Sequence, residues 1–240
     1  MQTTLAQFRE QESTESFSLQ NSKLLKVELN QVTIQAKLGS MVAYQGDVTF
    51  EHAGSGGMGR LIKKAVTGEG QSLMKITGTG EVFLADQAQD IHLVYLENDK
   101  ITVNGPNLLA FDSGIDWDIE RVQGASGMMG GGLFNTSLQG SGWVAILSDG
   151  PPVLLNVATA PTFADAQAAI TWSSGVTTSL KTDFKMKDLI GRGSGESIQM
   201  AFQGEGWVLV QPSEGRIAAA TPAGGAGGGG GGGLGGLLKG

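Results

Sequence analysis

The sequence predicts an all-β protein: three antiparallel β repeats, related by a pseudo-threefold axis, closing into a sandwich or barrel within one chain. Three observations predict it. Apolar and polar residues alternate with period two, as in Val27 and Leu29 around Glu28, or Ile115, Trp117 and Ile119 against Asp116, Asp118 and Glu120; a strand with one buried face has this spacing. Glycines interrupt the apolar runs and no sustained helical period replaces them, which points to short strands joined by tight turns. One pattern also recurs in phase. Ile76-Thr77-Gly78-Thr79-Gly80-Glu81-Val82, Leu138-Gln139-Gly140-Ser141-Gly142-Trp143-Val144 and Phe202-Gln203-Gly204-Glu205-Gly206-Trp207-Val208 all read apolar-x-Gly-x-Gly-x-Val, with first glycines 62 and 64 residues apart.

Flanking residues repeat with them. Gly68-Glu69-Gly70, Gly130-Gly131-Gly132 and Gly193-Ser194-Gly195 each precede a Gly-x-Gly segment. Ala43-Tyr44 precedes Val48-x-Phe50 by the same step as Ala110-Phe111 precedes Ile115-x-Trp117, and Ile170-x-Trp172 is expected to fill that place in the third copy. The chain then divides into a polar N-terminal segment (1–20), one β domain of three repeats (21–86, 87–150 and 151–217), and a flexible Gly-rich tail (218–240). Copies that each lack a full core should close on one another, which also removes exposed sheet edges. Phe50, Trp117 and Trp172 are the expected core aromatics. Arg60 to Val66 could form about two helical turns, the one short helix near 60–66.

Composition narrows the function. Hydrophobic residues at 40% against 16% charged suit a folded domain rather than a disordered chain. A net charge of −7 opposes nucleic-acid binding, since phosphate backbones select basic surfaces. The absence of cysteine removes disulfides, zinc ribbons, iron–sulfur clusters and thiol catalysis. The first residues carry acids and no apolar run, and no stretch has the length of a membrane-spanning helix, so a cytoplasmic location is expected.

The assembled pattern resembles the altered-inheritance-of-mitochondria family of mitochondrial biogenesis proteins and its bacterial relatives. The residues that carry it are Gly68-Glu69-Gly70 leading to Gly78-x-Gly80, Leu109-Ala110-Phe111-Asp112 before Trp117, Gly132-Leu133-Phe134-Asn135 before Gly140-x-Gly142, and Gly204-x-Gly206-Trp207-Val208. The resemblance runs from Ser22 to Gln211. It implies three units similar to the subunit of the tryptophan RNA-binding attenuation protein, and it implies no activity. RNA binding does not transfer with a fold.

No constellation supports catalysis, a cofactor or a metal. Gly54-Ser55-Gly56-Gly57-Met58-Gly59 satisfies G-x-G-x-x-G, but a dinucleotide site also needs a parallel second strand and an acid about twenty residues on; a flexible loop at a repeated position explains it. His52 and His92 lack a zinc-helix partner or a triad setting. Asp116, Asp118 and Glu120 share a strand face without the spacing of a calcium loop, and read as solvated surface.

The long connections are the candidate contact surface. Arg60, Leu61, Lys63 and Lys64 lie in the first, Met128, Met129 and Phe134 in the second, and Lys185, Lys187 and Arg192 in the third. Pseudo-threefold symmetry would gather them at one basic and apolar end, suited to an acidic protein partner or an anionic membrane surface. The same residues also fit a plug of the barrel mouth with its lysines in water. The expected function is therefore a non-catalytic binding or scaffold protein. The alternative is a small-molecule sensor with its ligand between repeats.

Overall fold

The computed structural model describes residues 4–52, 72–121, 134–181 and 199–213. The first block comprises β1 (Phe17–Asn21), β2 (Leu24–Lys37), β3 (Met41–His52) and β4 (Leu73–Leu84). The second has β5 (Asp90–Asn104), β6 (Leu108–Asp112), β7 (Asp116–Arg121) and β8 (Phe134–Ser148). The third has β9 (Val153–Asn156), β10 (Thr162–Asp165), β11 (Ala169–Ser173), β12 (Val176–Lys181), β13 (Gln199–Gly204) and β14 (Trp207–Val210). Pairing is antiparallel throughout, and the only helical pieces among the described residues are 3-10 turns at Thr4–Phe8 and Gly105–Asn107.

Chain connectivity forces each long strand to double over. Lys37 lies opposite Leu73 at one end of β4, and Met41 opposite Leu84 at the other. A straight strand of that length would span about 36 Å. Yet the link is short: the Leu38 amide donates to Ser72 O at 2.8 Å and the Ala85 amide to Ser40 O at 2.9 Å, and Leu38 to Ser40 reaches at most about 7 Å. The two ends of β4 are thus neighbours, and the bend falls at Gly78 and Gly80. Both have positive φ, +150° and +144°, and a Cβ on either would collide with a carbonyl oxygen of β3, that of Asp47 or Gln45. β2 bends beside them at Gln31, where the pairing register shifts.

The second block follows a similar path, with Gly105–Asn107 as the link, a register shift at Asn98 and positive φ at Gly140 and Gly142. In the third block every strand breaks at its bend. Its far halves, β10, β13 and β12, therefore form a separate three-stranded sheet, while β9, β14 and β11 join the main one. Folding each block over its own apolar face makes the core: Leu25, Val27, Ile34, Ile76, Val82 and Leu84 in the first, Ile101, Phe111, Leu138 and Val144 in the second, Trp172, Phe202 and Val208 in the third.

The main sheet runs β3-β4-β2-β6-β8-β5-β11-β14-β9. In each set of three, the Gly-x-Gly strand is central. Two seams join the sets: Ile34–Ala36 against Asp112–Ala110, and Ile101–Val103 against Ser173–Thr171. Closure into a barrel is not found, because among the described residues the path ends at β3 on one side and β9 on the other. The third block sends its far halves into a sheet of their own, so they do not bridge those two ends.

Register also corrects the aromatic alignment. Trp172 stands opposite Val208, as Phe111 stands opposite Val144 and Tyr44 opposite Val82. The place of Phe50 and Trp117, opposite Ile76 and Leu138, is taken by Thr178, opposite Phe202. The first two blocks make edge-to-face pairs between residues six apart in the chain, Tyr44–Phe50 and Phe111–Trp117. The third restores the pair across strands, Trp172 on Phe202 at 5.4 Å. Phe50 and Trp117 are half-buried at the core margin, and Trp172 is buried.

Because the bend brings backbone against backbone, Gly78→Ala and Gly80→Ala are each expected to lose about 3 kcal/mol or more of stability in urea unfolding. Gly114→Ala, with open space around the added methyl, should stay within about 0.5 kcal/mol.

Candidate functional site

Three short links meet at one end of the molecule. A cavity of 160 Å³ there is lined from all three blocks: by Lys37 just before the first link, Pro106 and Asn107 in the second, and Gln167 in the third, with Asp149 and Gln211. Its polar groups serve one another. Lys37 Nζ pairs with Asp86 at 2.6 Å, Asn107 Nδ2 donates to Leu147 O at 2.9 Å, and Gln211 accepts from the Asp149 amide at 2.9 Å while donating to Gln167 O. Such a satisfied network rigidifies the end where the blocks meet.

The strands that follow the three long connections rejoin the sheets beside these links. Leu73 lies opposite Lys37, Asn135 opposite Asn104, and Gln199 opposite Asp165. The connections themselves, 53–71, 122–133 and 182–198, lie outside the described residues. So do Arg60, Leu61, Lys63, Lys64, Met128, Met129, Lys185, Lys187 and Arg192, the Gly54–Gly59 motif, the short helix near 60–66 and the Gly-rich tail. Phe134 opens β8, opposite Arg121.

A larger groove of 370 Å³ lies between the second and third blocks, lined by Lys100, Thr102, Glu120, Asn135, Trp172 and Val176 among others. Strand alternation builds it. Ile101 and Val103 point into the core, so Lys100 and Thr102 take the opposite face of β5. Register adds Asn135 and Glu120, which stand opposite each other on β8 and β7, and Trp172, which stands opposite Thr102 across the seam. Lys100 Nζ donates to Glu120 Oε1 at 3.0 Å. Asn135 and Thr102 are only 7% and 8% exposed, yet neither side chain has a hydrogen-bond partner among the described residues. Sequence reasoning misses both. Asn135 stands out there in the Gly132-Leu133-Phe134-Asn135 stretch and as the head of an Asn135-Thr136-Ser137 sequon, neither of which marks a groove; the usable signal is a polar residue alternating with core residues.

Two titratable groups are perturbed chiefly by burial. His92 Nε2 contacts Ser148 Oγ at 2.7 Å, so this histidine has a serine partner that its sequence setting does not show. The contact is structural: Ser148 is fully buried and its hydroxyl donates to Gly150 O at 2.7 Å. Burial holds His92 below its ordinary value of 6.5, with the nearby Asp90 charge opposing the shift. Burial pushes Asp112 above the ordinary 3.8, against the opposing pull of the Trp143 amide, which donates to it at 2.7 Å. The same carboxylate occupies the space where a Cβ at Gly142 would fall. Asp116, Asp118 and Glu120 are all exposed, and no group of three or more metal-ligating side chains forms among the described residues.

Doubled-over antiparallel strands, bent at Gly-x-Gly segments and joined by two seams into one broad sheet, define the class: an antiparallel all-β protein. The sequence model of the mitochondrial biogenesis AIM24 family matches residues 17–213, and the chain belongs to that family. Among solved structures, protein SPYM3_0169 from Streptococcus pyogenes is similar in fold, with a TM-score of 0.66 at 22% identity over 82% of this chain and 92% of that one. No protein of curated function matches the chain. No helix among the described residues is long and apolar enough to cross a membrane.

Opposite pH responses follow from the two shifts. With His92 lowered in the folded state, the unfolded chain takes up the proton first, so stability falls as pH drops below 6.5; His92→Gln should flatten that limb in pH-dependent melting. With Asp112 raised, the folded state binds the extra proton, so stability falls as pH rises through the window above 3.8. Asp112→Asn keeps an acceptor for the Trp143 amide and should melt higher than wild type at pH 7. That gain should vanish below pH 3.8.

Proposed function

We propose that this protein is a non-catalytic binding or scaffold module of the cytoplasm, built from three copies of one TRAP-like unit, that presents basic and apolar segments to an anionic surface. The observation that carries the reading is the convergence of the strand starts that follow the three long connections: each such strand re-enters beside the link of its own block, and residues at or next to all three links line one cavity. Their composition supports it, since Arg60, Lys63, Lys64, Lys185, Lys187 and Arg192 stand among Leu61, Met128, Met129 and Phe134 in a chain of net charge −7. Basic groups beside apolar ones suit anionic headgroups or an acidic partner protein. A second reading, a small-molecule sensor with its ligand between repeats, is favoured by the groove between the second and third blocks.

Changing Lys63, Lys64, Lys185 and Lys187 together to Gln should weaken binding to phosphatidylserine vesicles or to an acidic partner. Each lysine near such a membrane contributes about 1 kcal/mol, whereas exposed lysines change stability by less than about 0.5 kcal/mol. Co-sedimentation at low and high salt, with melting curves as control, measures both. Vesicle binding that survives the four changes and high salt places the contact elsewhere; a wild-type protein that ignores anionic vesicles leaves only the protein partner.

A further inference from the structure

We propose that the groove between β7–β8 and β11–β12 binds a small neutral polyhydroxy compound, of the size of a monosaccharide or a cyclic polyol, held by Asn135 and Thr102. This rests on the second reading, a ligand between repeats, and adds the ligand's chemical class. Two polar side chains on the groove wall, Asn135 and Thr102, have no protein partner among the described residues. Buried polar side chains are almost always hydrogen-bonded, and the cavity at the links obeys that rule through Lys37, Asp86, Asn107 and Gln211. Asn135 and Thr102 make no side-chain hydrogen bond among the described residues although both are more than nine-tenths buried, and both line the same 370 Å³. Ser18 Oγ is the wholly buried, partnerless polar atom among those residues, so what Asn135 and Thr102 leave accessible opens onto the groove. A volume near the lower end of ligand sites suits a small molecule.

Chemistry then selects the class. Asn135 offers a carbonyl acceptor and two N–H donors, and Thr102 a hydroxyl that both donates and accepts. A hydroxyl-rich ligand matches such a set in either direction. The formal charges on the wall, Lys100 and Glu120, are opposite and already paired at 3.0 Å, so a net-charged ligand would be desolvated without a free counter-charge. A wholly apolar ligand would leave the carboxamide and hydroxyl unserved. Trp172 and Val176 supply the apolar stretch of wall that the C–H face of a ring needs.

Isothermal titration calorimetry of the full chain with D-glucose, D-mannitol and myo-inositol tests this, with L-glutamate and inorganic phosphate as charged probes. At least one neutral compound should bind saturably, with a dissociation constant below ~10 mM. Asn135→Leu should weaken that binding by about tenfold or more, with a melting temperature equal to or above wild type. A merely structural asparagine would instead lower it. Thr102→Val, nearly isosteric, should act in the same direction and serves if the first variant does not fold. A charged probe that binds and is lost in both variants would keep the groove as a ligand site and overturn the neutral class. No binding by any of the five compounds, or binding that neither variant changes, would overturn both, with water alone filling the groove.

Discussion

Each Gly-x-Gly segment has to turn the chain back on itself while both neighbours follow it, and this close approach of backbone to backbone governs the rest of the architecture. At Gly78 and Gly80 the approach leaves no room for a Cβ beside β3. At Gly142 the same space is filled by the Asp112 carboxylate, and at Gly206 by the Ser173 hydroxyl. Both of these side chains accept the amide that follows the second glycine, from Trp143 and Trp207. The fold thus meets one steric demand in two ways, with bare backbone in the first block and an inserted acceptor in the others. Bulges and glycines are the usual means of turning a sheet corner.

Doubling over also decides where polar groups can be placed. A strand folded onto its own apolar face buries that face within its block, and the outward faces then meet neighbouring blocks. The outward face of β5 and β8 carries Lys100, Thr102, Asn104, Asn135 and Ser137, and the last four are buried there. Asn104 finds the carbonyl oxygens of Ala166 and Ala169. Thr102 and Asn135 find a groove instead. A contact between a polar face and the third block is thus tightly bonded at one end and open at the other.

The ends of the blocks behave differently. Where the links meet, lysine, carboxylate and carboxamide groups tie three separate stretches of chain together. The buried Lys26, 4% exposed and bonded to Glu81 and Glu10, anchors the N-terminal segment in a similar way. Burial favours such pairs only with good geometry, and here each lysine has two partners: Lys37 also reaches Pro106 O at 3.1 Å. The contacts at the links unite residues up to 104 positions apart in sequence, Asn107 and Gln211.

The all-β class, the strand faces and the recurrence of Gly-x-Gly were legible in the residues, because period-two alternation and glycine at a forced bend are local properties. The polar face of Asp116, Asp118 and Glu120 was legible for the same reason. The alignment of Trp172 was not, since the third block breaks at its bend and Thr178, not an aromatic, takes the place opposite Phe202. Neither the partner of His92 nor the groove could be read from one stretch of chain: Ser148 lies 56 residues from His92, and Asn135 meets Trp172 only because β8 and β11 both flank β5. Local sequence determined which way each side chain points from its strand. Only the tertiary structure decided what stands opposite it, because that depends on seams between blocks that no local pattern encodes.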